Sequence, residues 1–246
     1  MKHLLIAIFF FVASSVACAQ SEETRNLPSF NKVSVSESIK LIIKEGNSNS
    51  ARVEASGVDV EKVLTEISGS SLNVHMARGN YRSISVTVYL TYSDKLNEVK
   101  ASSSSSVFGK SMINTDEFYA KVSSSAKMEL EVNAEEVEID VSSSGKGDLV
   151  VNAQELDIEI SSSGRLELSG KAAFQKFDIS SSGKLMAYDL RSERVRADIS
   201  SSGRAEISVS EEIIADASSS GRITYKGSPE KVLVDTSSSG SVKKVN

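Results

Sequence analysis

Charge recurs at fixed places along this chain. Asp140, Glu159, Asp178, Asp198, Asp216 and Asp235 each stand two residues before a small-residue tetrapeptide, and Lys127, Lys146, Arg165, Lys184, Arg204 and Arg222 each follow one directly. Like charges stacked about 4.8 Å apart repel by roughly 1 kcal/mol per pair in water, so either column needs opposite charge or a counterion nearby. A column of carboxylate oxygens is the ligand chemistry of a hard divalent cation, calcium above all. The other reading is two solvated faces that hold strands in register. Hydroxyls recur as well: Ser143, Ser162, Ser181, Ser201, Ser219 and Ser238 take the second place of the tetrapeptide. Such a column engages sugars or ice if it is a recognition face, or serves only as small residues that let the backbone turn tightly.

Other chemical motifs fail on context. Gly109-Lys110-Ser111 copies the end of a phosphate-binding loop, but Ser104 stands where the first glycine belongs, and no strand–loop–helix surrounds it. Ser143-x-x-Lys146 and Ser181-x-x-Lys184 copy the Ser-x-x-Lys of penicillin-interacting enzymes, a motif that needs a helix. His75 is the only histidine after His3; a Ser/His/Asp triad is formally available to it, against the plainer reading of a strand histidine half in solvent. Zinc spacing is absent, as are the paired, non-repeated carboxylates of glycan processing. A feature copied in every repeat is architecture, so no enzyme activity and no cofactor other than calcium are expected.

The elements that carry these residues follow from one period. Ser142-Ser143-Ser144-Gly145 returns at 161–164, 180–183, 200–203, 218–221 and 237–240, with degenerate copies at Ser123–Ala126 and within Ser102–Ser106. The last serines fall at 106, 125, 144, 163, 182, 202, 220 and 239, giving intervals of 19, 19, 19, 19, 20, 18 and 19 residues. A period that tight marks a solenoid in which each repeat stacks on the next. Between the corners apolar and polar residues alternate, as in Val137-Glu138-Ile139-Asp140-Val141 and Met128-Glu129-Leu130-Glu131-Val132, the period of a half-buried strand. The expected fold is all-β: a right-handed parallel β-helix with about 19 residues per rung. Met128, Gly147, Leu166, Leu185, Ala205 and Ile223 share one inward position, and Leu130, Leu149, Leu168, Ala187, Ile207 and Tyr225 share the next.

The regular stack is expected over 99–246, after a more irregular β-rich segment at 30–98. Strands are expected at Arg52–Ala55, Leu72–Met76 and Ile84–Leu90, and a helix at Val58–Ile67, where Val60, Val63, Leu64 and Ile67 have helical spacing. This segment forms either early rungs or a separate cap, because solenoid ends need protection. Lys243-Lys244 would discourage growth at the other end.

The chain has 246 residues and a net charge of −5. Without the first 19 residues, which carry Lys2 alone, 27 cations face 33 anions, a balance of −6. Low pI and scattered cations argue against a nucleic-acid partner. Met1-Lys2-His3 and the apolar Leu4–Val12 read as a signal peptide over 1–19, too short for a membrane span. Ala17-Cys18-Ala19 fits cleavage before Gln20; Ser15-Val16-Ala17-Cys18 also resembles a lipoprotein box, in which Cys18 is acylated. Residues 20–29 form a polar leader. Cys18 is the only cysteine, so the body holds no disulfide framework.

The corner repeats, the strand-rich start with Leu72-Asn73-Val74-His75, and Gly221-Arg222-Ile223-Thr224-Tyr225-Lys226-Gly227-Ser228-Pro229 before a Val-rich strand resemble the auto-transporter adhesin family with the head GIN domain. Its members carry Ser-Gly-Ser-Gly where this chain has Ser-Ser-Ser-Gly. The resemblance spans roughly Phe30 to Val242 and implies an exported bacterial β-helix with no catalytic residues. The expected function is non-enzymatic: an adhesion or interaction module at the cell envelope, on the outer surface or in the periplasm. Its partner would be a protein or glycan at the cell surface, and it would meet a membrane only through a lipid anchor. The alternatives are a structural scaffold without a ligand of its own, and a glycan-binding or glycan-processing β-helix.

Overall fold

The computed structural model describes residues 20–245; the signal segment and Cys18 lie outside them. The alternating segments are strands, and the chain is a parallel β-solenoid of about 8 turns with roughly 19 residues per turn. From Glu98 onward each turn stacks in register on the last. Val137 lies beside Leu156, Ile139 beside Ile158 and Val141 beside Ile160, while Met128, Gly147, Leu166 and Leu185 make a second inward column. Every residue of these columns is buried, so one turn closes its core only against its neighbours.

Hydrogen bonding alternates along with the side chains. Ser142 donates its N–H back to Val122, Ser161 to Val141 and Ser237 to Ala217, each at 3.0 Å. Outward residues thus bond the preceding turn, and inward residues offer their N–H and C=O to the following one. The 20-residue interval and the 18-residue interval after it are absorbed on one side of the rod. Pairing slips between Glu167 and Ser169, and again between Ala187 and Arg191.

The N-terminal part is interleaved with the stack. Lys32–Val35 pairs in parallel with both Ser71–Met76 and Glu98–Ala101, and Lys40–Glu45 with both Ser85–Tyr92 and Ser106–Gly109. The chain lays its second turn first, passes to the end of the rod, returns through the first turn at 71–92, and enters the third at Glu98. At that end Ser50–Ser56 and Val63–Ser68 lie antiparallel on the first turn, and Gln20–Asn26 lies antiparallel on Ser50–Ser56. Residues 30–98 are therefore rungs and cap together, and antiparallel strands seal the stack.

Two expectations are corrected here. The polar 20–29 segment is a strand over Gln20–Asn26, the outermost of the cap. The helix expected at Val58–Ile67 is a single 3-10 turn at Val60–Lys62, where Asp59 accepts the Glu61 N–H at 3.1 Å, followed by the strand Val63–Ser68. β-branched Val63, Thr65 and Ile67 favour the extended form, and Gly69, at φ 60°, turns that strand into its partner Ser71–Met76. Among the described residues no antiparallel strand covers the opposite end. Val232 and Val234 are 45% exposed and Leu233 49%.

Candidate interaction surface

Each corner is a turn whose two central residues are left-handed. Ser143 and Ser144 have φ of 47° and 63°, and the Gly145 N–H donates to the Ser142 carbonyl at 2.8 Å. Among the described residues nine corners carry such a pair, from Glu37 and Ser38 to Ser238 and Ser239. Left-handed backbone costs an L-residue roughly 1–2 kcal/mol, so the glycine would be expected at a central place. It stands fourth instead, because of crowding: a Cβ on Gly145 would lie 2.5 Å from the Val122 carbonyl oxygen. Toward the cap the fourth place is filled by Ala126, Ser105 and Ile39, and the Ser105 hydroxyl donates to the equivalent carbonyl, Val35, at 3.1 Å.

Backbone groups hold corner to corner. Ser125 donates to Ser143, Ser144 to Ser162 and Ser163 to Ser181, at 3.0–3.1 Å. The hydroxyls of Ser143, Ser162, Ser181, Ser201, Ser219 and Ser238 are all on exposed residues, and they take no part in that ladder. Amides, not hydroxyls, thus link the corners, and these hydroxyls belong to solvent-exposed residues.

The acidic column stacks as its spacing requires: Asp140 on Glu159, then Asp178, Asp198, Asp216 and Asp235. The basic column stacks likewise from Lys127 to Arg222. Among the described residues no three carboxylates converge to hold a metal ion. At Asp140 and at Asp157 of a neighbouring column charge is met laterally. Tyr119 donates to Asp140 at 2.5 Å, Lys121 reaches the same oxygen at 3.1 Å, and Lys176 bonds Asp157 at 2.8 Å. Burial, and then the Asp140 carboxylate, push the Tyr119 phenol well above its ordinary value. Burial followed by Asp140, Asp157 and Glu159 raises the Glu138 carboxyl, against Lys121.

The spacing pattern missed the neighbouring columns. Glu117, Glu136, Glu138, Glu155 and Asp157 join Glu98 around a concavity of about 530 Å³ on the face before the corner. Lys32 closes its rim, 3.6 Å from Glu98. The same columns turn basic further along, at Lys176, Arg194 and Arg196. Their alternation with Val137 and Leu156 was visible in sequence; their convergence needed the register.

The remaining motif residues are not brought together among the described residues. His75 lies on the first-turn strand Ser71–Met76, its Nε2 3.3 Å from Glu66 and its Nδ1 3.1 Å from the Met76 carbonyl, and among the described residues no serine hydroxyl bonds it. Ser111 accepts the Glu45 N–H at 2.9 Å after the strand Ser106–Gly109, with no helix following. Lys146 and Lys184 begin strands, not helical turns.

Solved structures share this architecture. A putative adhesin from Parabacteroides merdae is 22% identical, with a TM-score of 0.87 over 92% of this chain and 96% of its own. A putative lipid binding protein from Parabacteroides distasonis is 20% identical, with a TM-score of 0.82 over 92% and 97%. A putative adhesin from Bacteroides fragilis gives 17% and 0.66, over 92% and 97%. At these identities the likeness concerns the fold. Comparison with curated proteins returns no match. The family model described as "putative auto-transporter adhesin, head GIN domain" matches residues 29–149 and 138–229, and the chain belongs to that family.

Proposed function

We propose that the chain is an exported, non-enzymatic protein of the cell envelope that works through its outer surface as an adhesion or interaction module. One observation carries this reading. The turns between the two ends commit their apolar side chains and corner amides to the stack, and leave the corner hydroxyls and the acidic and basic columns beside them in register outside. A rigid rod with repeated outward groups suits multivalent contact with a protein or glycan, in which weak sites add through effective concentration. In this reading the chain meets a membrane only if Cys18 is acylated, cleavage before Gln20 leaves it without an anchor, and catalysis has no part.

The test compares a strain lacking the chain with its parent for retention on glycan- and protein-coated surfaces. Complementation uses the wild-type chain, the chain with Ser143→Ala, Ser162→Ala and Ser181→Ala, and the chain with Glu136→Lys and Asp157→Lys. Reduced retention of the deletion strain, restored by the wild type and lost with either surface variant, is the expected result. A deletion strain that adheres as well as its parent overturns the reading.

A further inference from the structure

We propose that the open end of the solenoid is a self-association surface, on which a second copy docks tail to tail by antiparallel pairing of Lys231–Thr236 with itself. This strand stacks on Glu212–Ala217 by one edge only. Ser237 bonds back to Ala217, so by alternation Val232, Val234 and Thr236 turn their N–H and C=O groups toward the open end. Unpaired edge groups beside apolar side chains are a template for strand addition. Lys243 and Lys244, the residues expected to guard this end, sit in the other strand of the last turn, Ser241–Lys244.

The sequence of the strand is self-complementary in one register. Val232 and Val234 continue the inward columns of Ile213 and Ala215, while Lys231, Leu233 and Asp235 face outward. An antiparallel partner must place inward residues opposite inward ones, and free edge groups opposite free edge groups. Centring the two-fold on Leu233 does both. Val232 meets Val234 of the second copy in a hydrogen-bonded pair on each side of the axis, four backbone bonds in all. Leu233 meets Leu233 in the closer, non-bonded pair. Lys231, which already reaches Glu212 at 2.5 Å, meets Asp235 of the other copy, twice. Shifting the register by two residues in either direction opposes Leu233 to a charge and loses both ion pairs.

A two-fold contact closes on itself and ends at two copies. The other end of the rod offers no equivalent: its outermost strand Gln20–Asn26 holds Glu22, Glu23 and Arg25 and no apolar residue. Val242, on the opposite strand of the last turn, is half-buried and extends the apolar end. A short ribbon is small beside the roughly 800 Å² per partner of a standard interface, so association is concentration-dependent.

Sedimentation velocity on the purified full chain, from micromolar to millimolar, tests this directly. A monomer–dimer equilibrium is expected. Asp235→Lys sets like charges opposite each other across the axis and weakens the dimer at least about tenfold. It leaves the melting temperature at high dilution unchanged or higher, since it also relieves the Asp216–Asp235 stack. Adding Lys231→Asp to that variant restores the ion pairs and the dimer. Mild oxidation of Leu233→Cys yields a covalent dimer beyond the level the parent forms through Cys18. A chain that stays monomeric at millimolar concentration, that forms open-ended polymers, or whose dimer ignores Asp235→Lys overturns the proposal.

Discussion

The carbonyl oxygen of Val122 stands 2.5 Å from the point that a Cβ on Gly145 would occupy. The obstacle is backbone of the neighbouring turn, so Gly145→Ala requires a local backbone shift, although Ala126 holds the equivalent place one turn nearer the cap. It is expected to cost about 1–3 kcal/mol. Gly147→Ala would meet chiefly the Leu166 Cδ1, at 2.7 Å, and a side-chain tip can swing away, so its cost is smaller. Urea midpoints of the two variants give the comparison.

Ser144 holds φ at 63° with an exposed side chain. Asparagine tolerates this region better than serine, and β-branched residues tolerate it least. Ser144→Asn should leave stability unchanged or raise it by up to about 1 kcal/mol, and Ser144→Val should lower it by about 1 kcal/mol or more. Ser143→Ala should stay within about 0.5 kcal/mol of the parent. Thermal melts of the three variants check the order.

Gln175 is fully buried in the inward column between Leu156 and Val195. Its Oε1 accepts from the Ser192 hydroxyl at 3.3 Å, and its Nε2 has no partner. An orphaned amide in a core costs roughly 1–3 kcal/mol. Gln175→Leu should therefore stabilise the chain by about 1 kcal/mol, after the loss of the serine contact, as read from the urea midpoint.

Asp198 lies between Asp178 and Asp216. Partial burial, followed by these two carboxylates, raises its carboxyl above 3.8, with Arg196 opposing. A raised acid binds its proton more tightly when folded, so the ionised form destabilises the fold. Asp198→Asn should melt higher than the parent at pH 7. The gap should narrow as pH falls through the raised value, and close below 3.8. A gap that is constant with pH contradicts the stacked-charge account.

Much of this was legible in the residues. The 19-residue interval gave the turn, and alternation told inward from outward, because stacked parallel strands leave little choice of register. The 20- and 18-residue intervals announced the slip at Ala187–Arg191. The cap was not legible. Its strands pair with segments far away in sequence, and no local pattern says that residues 32–45 enter between two later turns. Val60, Val63, Leu64 and Ile67 fit a helix by spacing, but pairing with Ser71–Met76 decided otherwise. The acidic concavity was not legible either: Asp140 and its successors stood out by their distance from the corner but do not line it, whereas Glu136, Glu138, Glu155 and Asp157, which do, gained meaning only from adjacency. The small corner residues were read as letting the backbone turn, and the glycine in fourth place proved to give clearance to the neighbouring turn.

Whether the solenoid acts outside the cell is decided by protease shaving of intact cells of the source organism, followed by mass spectrometry of peptides from the regular turns. Release of those peptides from intact cells, with cytoplasmic markers retained, is the expected result. Protection until the outer envelope is opened would contradict surface adhesion and leave the envelope scaffold as the reading.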